Sequence, residues 1–324
     1  MTYLHNDSFP ASHPMWIGPI GYQGHRAAMR ILKEADVVLA VGTRLNPFCL
    51  NPQYGEAYFP DNAKLVQVDI NTKTMGLTRR ADVQVAGDAG LFLKEMLSRA
   101  KADAPACVGN RESREAEINK QKQIWEAELD DWTHGVNEVH PHGDGRMKPR
   151  EVLRALEKNL PDNTIVATDI GNICSVANSY LRMDKPNTFL GPMSFGNCGY
   201  ASPAVMGAKV AKPDAFCISY SGEGAWGMQL PETLTCVREK IAVTCVVFNN
   251  GQWGAEKKNQ VLWFGDHYVG TNLQNPSFAE IARSMGAEGI KVEDVKDVPA
   301  ALQQAIENQK YLFSIFLESF PTKI

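Results

Sequence analysis

Short apolar segments alternate with helix-like segments along most of this 324-residue chain. In the first hundred residues the apolar segments span 36–42, 64–69 and 83–86, and helices are predicted at 22–35 and, after a capping Asp88, up to residue 100. Short strands that are apolar throughout are typical of parallel sheets covered by helices on both faces. This alternation restricts the chain to the α/β fold class.

The same alternation returns in the second half of the chain. Strands are predicted at 164–168, 215–220, 242–248 and 311–317, and helices at 203–210, 229–238, 277–285 and 298–308. Residues 101–148 are instead polar and charged, with a predicted helix at 111–132 and a loop around His140 and His142. We therefore predict two Rossmann-like parallel-sheet domains, at 1–100 and 149–324, joined by a helical and loop linker at 101–148.

Charge and cysteine content narrow the function classes. A formal net charge of -4 gives no electrostatic reason to expect nucleic acid or an anionic membrane as a partner, so we expect small molecules or further copies of the chain. The seven cysteines are odd in number and form no C-x-x-C pair, which is typical of reduced thiols in a cytoplasmic protein. No zinc-type spacing and no G-x-S-x-G elbow is present.

Two polar motifs follow neighbouring predicted strands. Ser221-Gly222-Glu223-Gly224 comes directly after the strand that ends at Tyr220, and Asn249-Asn250 comes directly after the strand that ends at residue 248. Ligands bind parallel sheets at the carboxyl ends of the strands, where glycines allow a phosphate to approach the backbone. A diphosphate fits such a pocket.

A diphosphate needs a counter-ion, and the two motifs offer oxygen ligands for Mg²⁺. These ligands are Glu223, the side-chain oxygen of Asn250 and a backbone carbonyl near Gln252, with phosphate oxygens and water completing the octahedron. A lone Gly-Glu-Gly is more often an ordinary turn, but the strand-turn-helix context and the asparagine pair favour a metal ligand. We predict metal ligation by Glu223, Asn250 and Gln252.

These motifs resemble the thiamine-diphosphate-dependent enzymes, which carry Gly-Asp-Gly followed by a helix, a strand and Asn-Asn. Longer strings at residues 5–14, 252–259 and 262–264 are similar to the sulfoacetaldehyde acetyltransferases in particular. The resemblance extends over essentially the whole chain. It implies that the first domain is the central domain of this superfamily, that the last domain binds the diphosphate, and that thiamine diphosphate and Mg²⁺ are the cofactors.

The resemblance also implies a set of cofactor-binding residues. They are Asn172, Cys198, Gly199, Gly222, Glu223, Gly224, Ala225, Trp226, Asn250 and Gln252. Cys198 takes the position of the apolar residue that wedges between the cofactor rings, although a plain buried thiol is the alternative. Asp169 either caps a helix or contacts a ligand. Lys257, Lys258 and His267 either attract an anion or belong to a solvated face.

The implied reaction converts sulfoacetaldehyde and phosphate into acetyl phosphate and sulfite, as in the catabolism of taurine and other sulfonates. The active site of the family forms between two subunits, so a homo-oligomer is implied. Two alternatives stay open: an acetolactate synthase-like carboligase that acts on pyruvate, and a non-catalytic cofactor-binding remnant. A nicotinamide dehydrogenase is disfavoured because no G-x-G-x-x-G opens a helix after the first strand.

The chain departs from the family pattern in two places. Glu223 stands where the family has Asp, so we expect weaker Mg²⁺ binding than in a Glu223→Asp variant, and equal activation constants would contradict this. The pyrimidine-binding domain that supplies the activating glutamate of the family is not recognised in this sequence. We therefore expect a fragment that is inactive alone, and we name no catalytic residue within it.

Overall fold

The structure, a computed structural model, describes residues 5–21, 24–102, 111–134, 147–309 and 313–318. Two compact units share the chain: Ala11–Ala127 lies in the first, and the second combines Leu4–Pro10 with Glu128–Ile324. The proposed domain bounds at 100 and 148 stay predictions. Residues 22–23 of the first predicted helix, residues 311–312 of the last predicted strand, and the loop with His140 and His142 lie outside the described residues.

The first unit contains a parallel three-stranded sheet in the order β1-β2-β3. Its strands are β1 (Val37–Val41), β2 (Lys64–Asp69) and β3 (Val83–Ala86), and its helices are α1 (Arg26–Lys33), α2 (Pro47–Leu50), α3 (Ala89–Ala102) and the first part of α4 (Arg111–His134). The predicted cap of α3 is confirmed, because Asp88 Oδ1 accepts a hydrogen bond of 2.9 Å from the amide of Leu91.

One face of this small sheet is covered, and the other is covered only in part. Val38 and Ala40 pack into an apolar cluster with Leu65, whereas Val37 and Leu39, which alternate with them, are 55% and 40% exposed. Helix α3 buries none of its residues. Val68 of β2 lies on the same face as Val37 and Leu39 and is fully buried, so in the described part of the first unit the prediction of two covered faces fails only where side chains such as Val37, Leu39 and Val83 are exposed.

The second unit contains a larger sheet whose described strands all pair in parallel, in the order β5-β4-β6-β7-β9-β8. The strands are β4 (Thr164–Thr168), β5 (Phe189–Leu190), β6 (Phe216–Gly222), β7 (Thr244–Asn249), β8 (Glu288–Val292) and β9 (Phe313–Glu318). The helices are α5 (Pro149–Glu157), α6 (Asn172–Tyr180), α7 (Ala201–Ala211), α8 (Glu223–Met228), α9 (Glu232–Glu239), α10 (Gly254–Phe264), α11 (Phe278–Ser284) and α12 (Val298–Glu307). The predicted α/β class with parallel sheets is confirmed.

The strands that sequence analysis did not predict are β5 and β8. β5 has two residues, and β8 reads Glu-Gly-Ile-Lys-Val, so neither gives a continuous apolar signal. The polar segment at 111–132 does form the predicted helix, which continues to His134. Three apolar side chains of this helix, Ile118, Trp125 and Leu129, are buried. Within the described residues, no helix combines the length and apolar character that crossing a bilayer requires.

Leu4–Pro10 belongs to the second unit because polar side chains fasten it there. Asp7 Oδ2 accepts hydrogen bonds from the amides of Thr188 and Phe189, at 2.9 Å and 3.2 Å, where strand β5 begins. Asn6 Nδ2 donates to Asn178 Oδ1 on α6, at 2.8 Å. Asp7 is buried, so it satisfies two backbone donors that water does not reach easily.

We predict that Asp7→Ala lowers the free energy of unfolding of the second unit by about 1–3 kcal/mol, because two buried amides lose their acceptor. The matched control is Asp162→Ala, which removes an exposed carboxylate and changes stability by less than about 0.5 kcal/mol. Urea unfolding of both variants measures the difference. Equal unfolding midpoints would contradict the stabilising role of the hydrogen bonds that Asp7 accepts from Thr188 and Phe189.

Candidate functional site

The site lies where strands β6 and β7 end side by side. These strands pair in parallel with Gly222 opposite Phe248, so Glu223 and Asn249 leave the sheet at the same edge. Gly222 is the N-cap of α8, and Glu223 opens that helix. The parallel register therefore brings together two motifs that lie 27 positions apart in the sequence, Glu223 and Asn250.

One backbone amide joins the two motifs. The amide nitrogen of Gln252 donates to Glu223 Oε1 at 2.8 Å and also contacts Asn250 Oδ1 at 3.2 Å. Residues 250–252, called the site loop below, thus place a carboxylate oxygen and an amide oxygen around a single N–H group. The structure brings all three predicted metal ligands, Glu223, Asn250 and Gln252, into one cluster.

Glu223 is a buried carboxylate that backbone donors surround. The residue is only 3% exposed, and this burial raises the pKa of its carboxyl group above the ordinary value. Backbone hydrogen bonds from Glu223 itself, Gln252, Asn250 and Gly251 act in the opposite direction on this pKa. The loop therefore compensates the carboxylate with N–H dipoles, and a cation would add to that compensation.

Asn172 also belongs to this cluster. It is the first residue of α6, and its Nδ2 would lie 3.1 Å from a Cβ atom added at Gly254, with Asn250 Nδ2 3.7 Å from the same point. Gly254 therefore has the side chains of Asn172 and Asn250 close to its backbone. The ends of β4, β6 and β7 converge here, as the sequence analysis expected for a ligand-binding edge.

The two glycines that flank Glu223 have different surroundings. A Cβ atom at Gly224 would lie 2.7 Å from the ring of Trp253, whereas a Cβ atom at Gly222 would meet nothing within 4 Å. Gly224 is thus required by the packing of Trp253 on the turn. Gly222 leaves open space beside the backbone, which fits the approach of a phosphate.

The carboxylate of Asp169 is hydrogen-bonded to other groups of the protein. Its carboxylate accepts hydrogen bonds from the amide of Tyr200 at 2.9 Å, the amide of Ala201 at 3.3 Å and the hydroxyl of Ser221 at 2.9 Å. Burial raises the pKa of this carboxyl, and these hydrogen bonds oppose the rise. Asp169 does not cap the next helix, α6, but accepts hydrogen bonds from the first amides of the distant α7, and a ligand contact of Asp169 stays a prediction.

Cys198 lies within electrostatic range of Asp169 and of Glu256 on α10, and the backbone of Gly199 is hydrogen-bonded to Asp169. Burial raises the pKa of the Cys198 thiol to about 11, and the negative charges of Asp169 and Glu256 add to the rise. A neutral, partly buried thiol is compatible with a packing role, and the wedge between the cofactor rings stays a prediction. Gly199 adopts a positive φ of 79°, which suits glycine at this turn.

The side chains of Ala225 and Trp226 are buried inside the protein. Both residues are 3% exposed, and Trp226 belongs to the main apolar cluster, where its ring meets Phe278 edge-on at 5.3 Å. Only their backbone is therefore suited to line a diphosphate. The sequence pattern did not distinguish these backbone contributors from residues that offer a side chain.

Of the three cations weighed as anion contacts, Lys257 lies beside the site loop. Its Nζ donates to Gln252 Oε1 at 2.8 Å and to Asn272 Oδ1 at 3.3 Å. Lys258 is exposed, and His267 Nδ1 contacts the carbonyl oxygen of Phe264 at 2.7 Å. Sequence analysis missed Asn272 as a neighbour of the site, because it lies in an irregular segment 20 positions after Gln252 with no motif of its own.

The chemistry of the donor set fits a magnesium-bound diphosphate. Among the residues that the structure describes, no group of three or more His, Cys, Asp or Glu side chains is arranged to hold a metal without help. Glu223 contributes the only carboxylate of the predicted ligand set, with neutral oxygens from Asn250 and Gln252. Mg²⁺ is commonly bound in this way, by one or two carboxylates together with the phosphates of its partner ligand.

We predict that Gly224→Ala destabilises the ligand-free protein by about 1–3 kcal/mol, because the new methyl group must displace the Trp253 ring. Gly222→Ala is the matched control: φ there is −73° and the space is open, so its stability changes by less than about 1 kcal/mol. Thermal unfolding and tryptophan emission measure both effects. A Gly224→Ala protein with native stability and emission would refute the packing argument.

Comparison with known proteins assigns both halves of the chain to one group of enzymes. Residues 1–96 match the central domain of thiamine pyrophosphate enzymes, and residues 169–315 match their C-terminal TPP binding domain. The chain is 52% identical over 316 residues to the sulfoacetaldehyde acetyltransferase of Castellaniella defragrans, and 49% identical over 320 residues to that of Alcaligenes xylosoxydans xylosoxydans. A probable acetolactate synthase large subunit from Methanococcus aeolicus is 27% identical over 324 residues.

These matches cover most of this chain and part of each relative. The two sulfoacetaldehyde acetyltransferases each align with 95% of the chain, which spans 53% of their length. The acetolactate synthase subunit aligns with 98% of the chain, also over 53% of its own length. The family resemblance predicted from the glycine and asparagine motifs is confirmed, and the chain belongs to the thiamine pyrophosphate enzymes, of which it carries the central and C-terminal domains.

Proposed function

We propose that this chain forms the cofactor-holding part of a sulfoacetaldehyde acetyltransferase, which converts sulfoacetaldehyde and phosphate into acetyl phosphate and sulfite. The observation that carries the proposal is the cluster around the Gln252 amide, where Glu223 Oε1 and Asn250 Oδ1 meet at the edge of a parallel sheet. Identities of 40–52% to proteins of that name, against 27–29% to acetolactate synthases, favour this reaction over the pyruvate reaction.

The residues of the second unit have separate tasks in this proposal. Glu223, the side-chain oxygen of Asn250 and the carbonyl of Gln252 hold Mg²⁺, which neutralises the diphosphate. Gly222 and Gly224, together with the backbone of Ala225 and Trp226, admit the phosphates close to the turn. Asn172, Cys198 and Gly199 contact the remainder of the cofactor. Asp169 keeps the loop before α7 in place through the amides of Tyr200 and Ala201.

Thiamine diphosphate, when bound, supplies a carbanion and an electron sink for the reaction at the aldehyde carbon. The chain itself contributes orientation and charge compensation: the buried Glu223 carboxylate fixes the metal, and the site loop fixes Glu223. We further propose assembly into a homo-oligomer. We also propose a cytoplasmic location, since the six described cysteines, Cys49, Cys174, Cys198, Cys217, Cys236 and Cys245, are all free thiols.

The proposed reaction predicts that sulfite and acetyl phosphate appear in equal amounts from sulfoacetaldehyde and phosphate. The chain is assayed alone and together with the part of the Castellaniella defragrans relative that lies outside the match. Release of carbon dioxide from pyruvate is measured in parallel. Sulfite release only in the combined arm supports the proposal in full, and sulfite release by the chain alone supports the reaction but contradicts the expectation of a fragment that is inactive alone. Carbon dioxide release without sulfite favours the carboligase.

The proposed metal site predicts that Glu223→Gln raises the Mg²⁺ concentration for half-saturation by at least about tenfold, in the presence of thiamine diphosphate. The variant keeps the shape of the side chain and removes the charge. Glu288→Gln, at an exposed position of β8, is the control and leaves Mg²⁺ binding unchanged. Isothermal titration calorimetry measures both, and identical Mg²⁺ affinities would exclude Glu223 as a ligand.

A further inference from the structure

Helix α10 follows the site loop directly, yet it buries none of its residues. Packing of an apolar face therefore does not set the position of this helix, and polar contacts must do so. Its second half is fastened by Gln260, whose Nε2 donates to the carbonyl of Val269 at 3.0 Å and whose Oε1 accepts from the amide of Val269 at 2.9 Å. Its first half is fastened by Lys257.

Lys257 is hydrogen-bonded to two segments that pair with each other. Gln252 and Asn272 form an antiparallel bridge, supported by hydrogen bonds from Trp253 N to Thr271 O at 2.8 Å and from Leu273 N to Gly251 O at 2.7 Å. Lys257 Nζ donates to the side-chain oxygens of both bridge residues, at 2.8 Å and 3.3 Å. It also lies 5.0 Å from the centre of the Tyr268 ring.

The contact with Lys257 decides which way the Gln252 amide points. An ammonium group has donors and no acceptor, so Oε1 of Gln252 must face Nζ and the NH₂ group must face away. In that orientation Nε2 is buried and has no hydrogen-bond partner among the described residues. A buried donor without an acceptor is unfavourable, so the side chain would adopt another rotamer if nothing opposed it.

The backbone of the same residue serves the site. The Gln252 amide donates to Glu223 Oε1 at 2.8 Å, and its carbonyl is a proposed Mg²⁺ ligand. A change in the Gln252 side chain would therefore be transmitted to the carboxylate and to the metal through one residue. Charge-assisted hydrogen bonds are strong enough to fix such a side chain.

We propose that Lys257 is a positioning residue for the site loop, which acts through the side chain of Gln252. It holds the backbone of Gln252 in the orientation that Glu223 and the metal require. The metal-binding consequence rests on the proposed function above, whereas the effect on the loop itself does not.

The test compares Lys257→Met with Lys258→Met in the full chain. Both variants remove an ammonium group from α10 and keep a similar aliphatic stem, but Lys258 is exposed and is not hydrogen-bonded to the site loop in the described structure. In the ligand-free protein, we expect the Gln252 amide to exchange its hydrogen about tenfold faster in Lys257→Met and at the native rate in Lys258→Met. Hydrogen exchange followed by NMR measures these rates.

A second measurement separates positioning from general stability. Mg²⁺ binding is measured by isothermal titration calorimetry in the presence of thiamine diphosphate. We expect Lys257→Met to raise the half-saturating Mg²⁺ concentration by about tenfold and to leave the total heat at saturation unchanged, as for other residues that orient metal ligands. Lys257→Arg should recover most of the native affinity, because it keeps a donor for Gln252 Oε1.

Equal amide exchange in the two methionine variants would overturn the proposal, whatever ligand the chain binds. Faster exchange in Lys257→Met combined with a native Mg²⁺ affinity would overturn its metal-binding part. Absence of sulfite release would instead count against the proposed reaction and would leave the exchange result valid.

Discussion

The site depends on a buried carboxylate whose oxygen shares a backbone N–H group with an asparagine side chain. Glu223 cannot be buried as an anion without compensation, and the amides of the site loop provide it. That compensation is available because β6 and β7 end side by side, β6 directly before Glu223 and β7 directly before Asn250. The sheet therefore supplies the geometry, the loop supplies the dipoles, and the metal would complete the balance of charge.

Glu223, where the resemblance implies Asp, has a structural context. The longer side chain reaches the amide of Gln252 at 2.8 Å, so the carboxylate makes its contact with the site loop without a metal ion. A carboxylate that is well satisfied by backbone donors gains less from a cation than an unsatisfied one. The expected weaker Mg²⁺ binding stays a prediction, but this contact gives it a second physical reason.

Much of the fold could be predicted from strand signals, and much of the site from two short motifs. Strands at 64–69, 83–86 and 164–168 have the predicted bounds: the last is a continuous apolar and β-branched run, and the first two are rich in valine although polar residues interrupt them. The helix that Asp169 caps could not be predicted, since α7 begins 32 positions later and only the fold brings them together. Lys257 was recognised as a cation near the motif, but its partner Asn272 carries no signal in the sequence.

The second unit is built from two separate stretches of the polypeptide, since residues 4–10 belong to it although residues 11–127 of the first unit separate them from its remainder. The range 169–315, taken alone as a domain, would lack the Asp7 carboxylate that accepts hydrogen bonds where strand β5 begins and the Asn6 side chain that donates to α6. Folding of this unit must therefore close a loop of more than a hundred residues, and the entropy of that closure grows only slowly with length. Replacing residues 11–127 by a short linker between the early stretch and Glu128 would shorten the loop while retaining both partners of each Asp7 hydrogen bond.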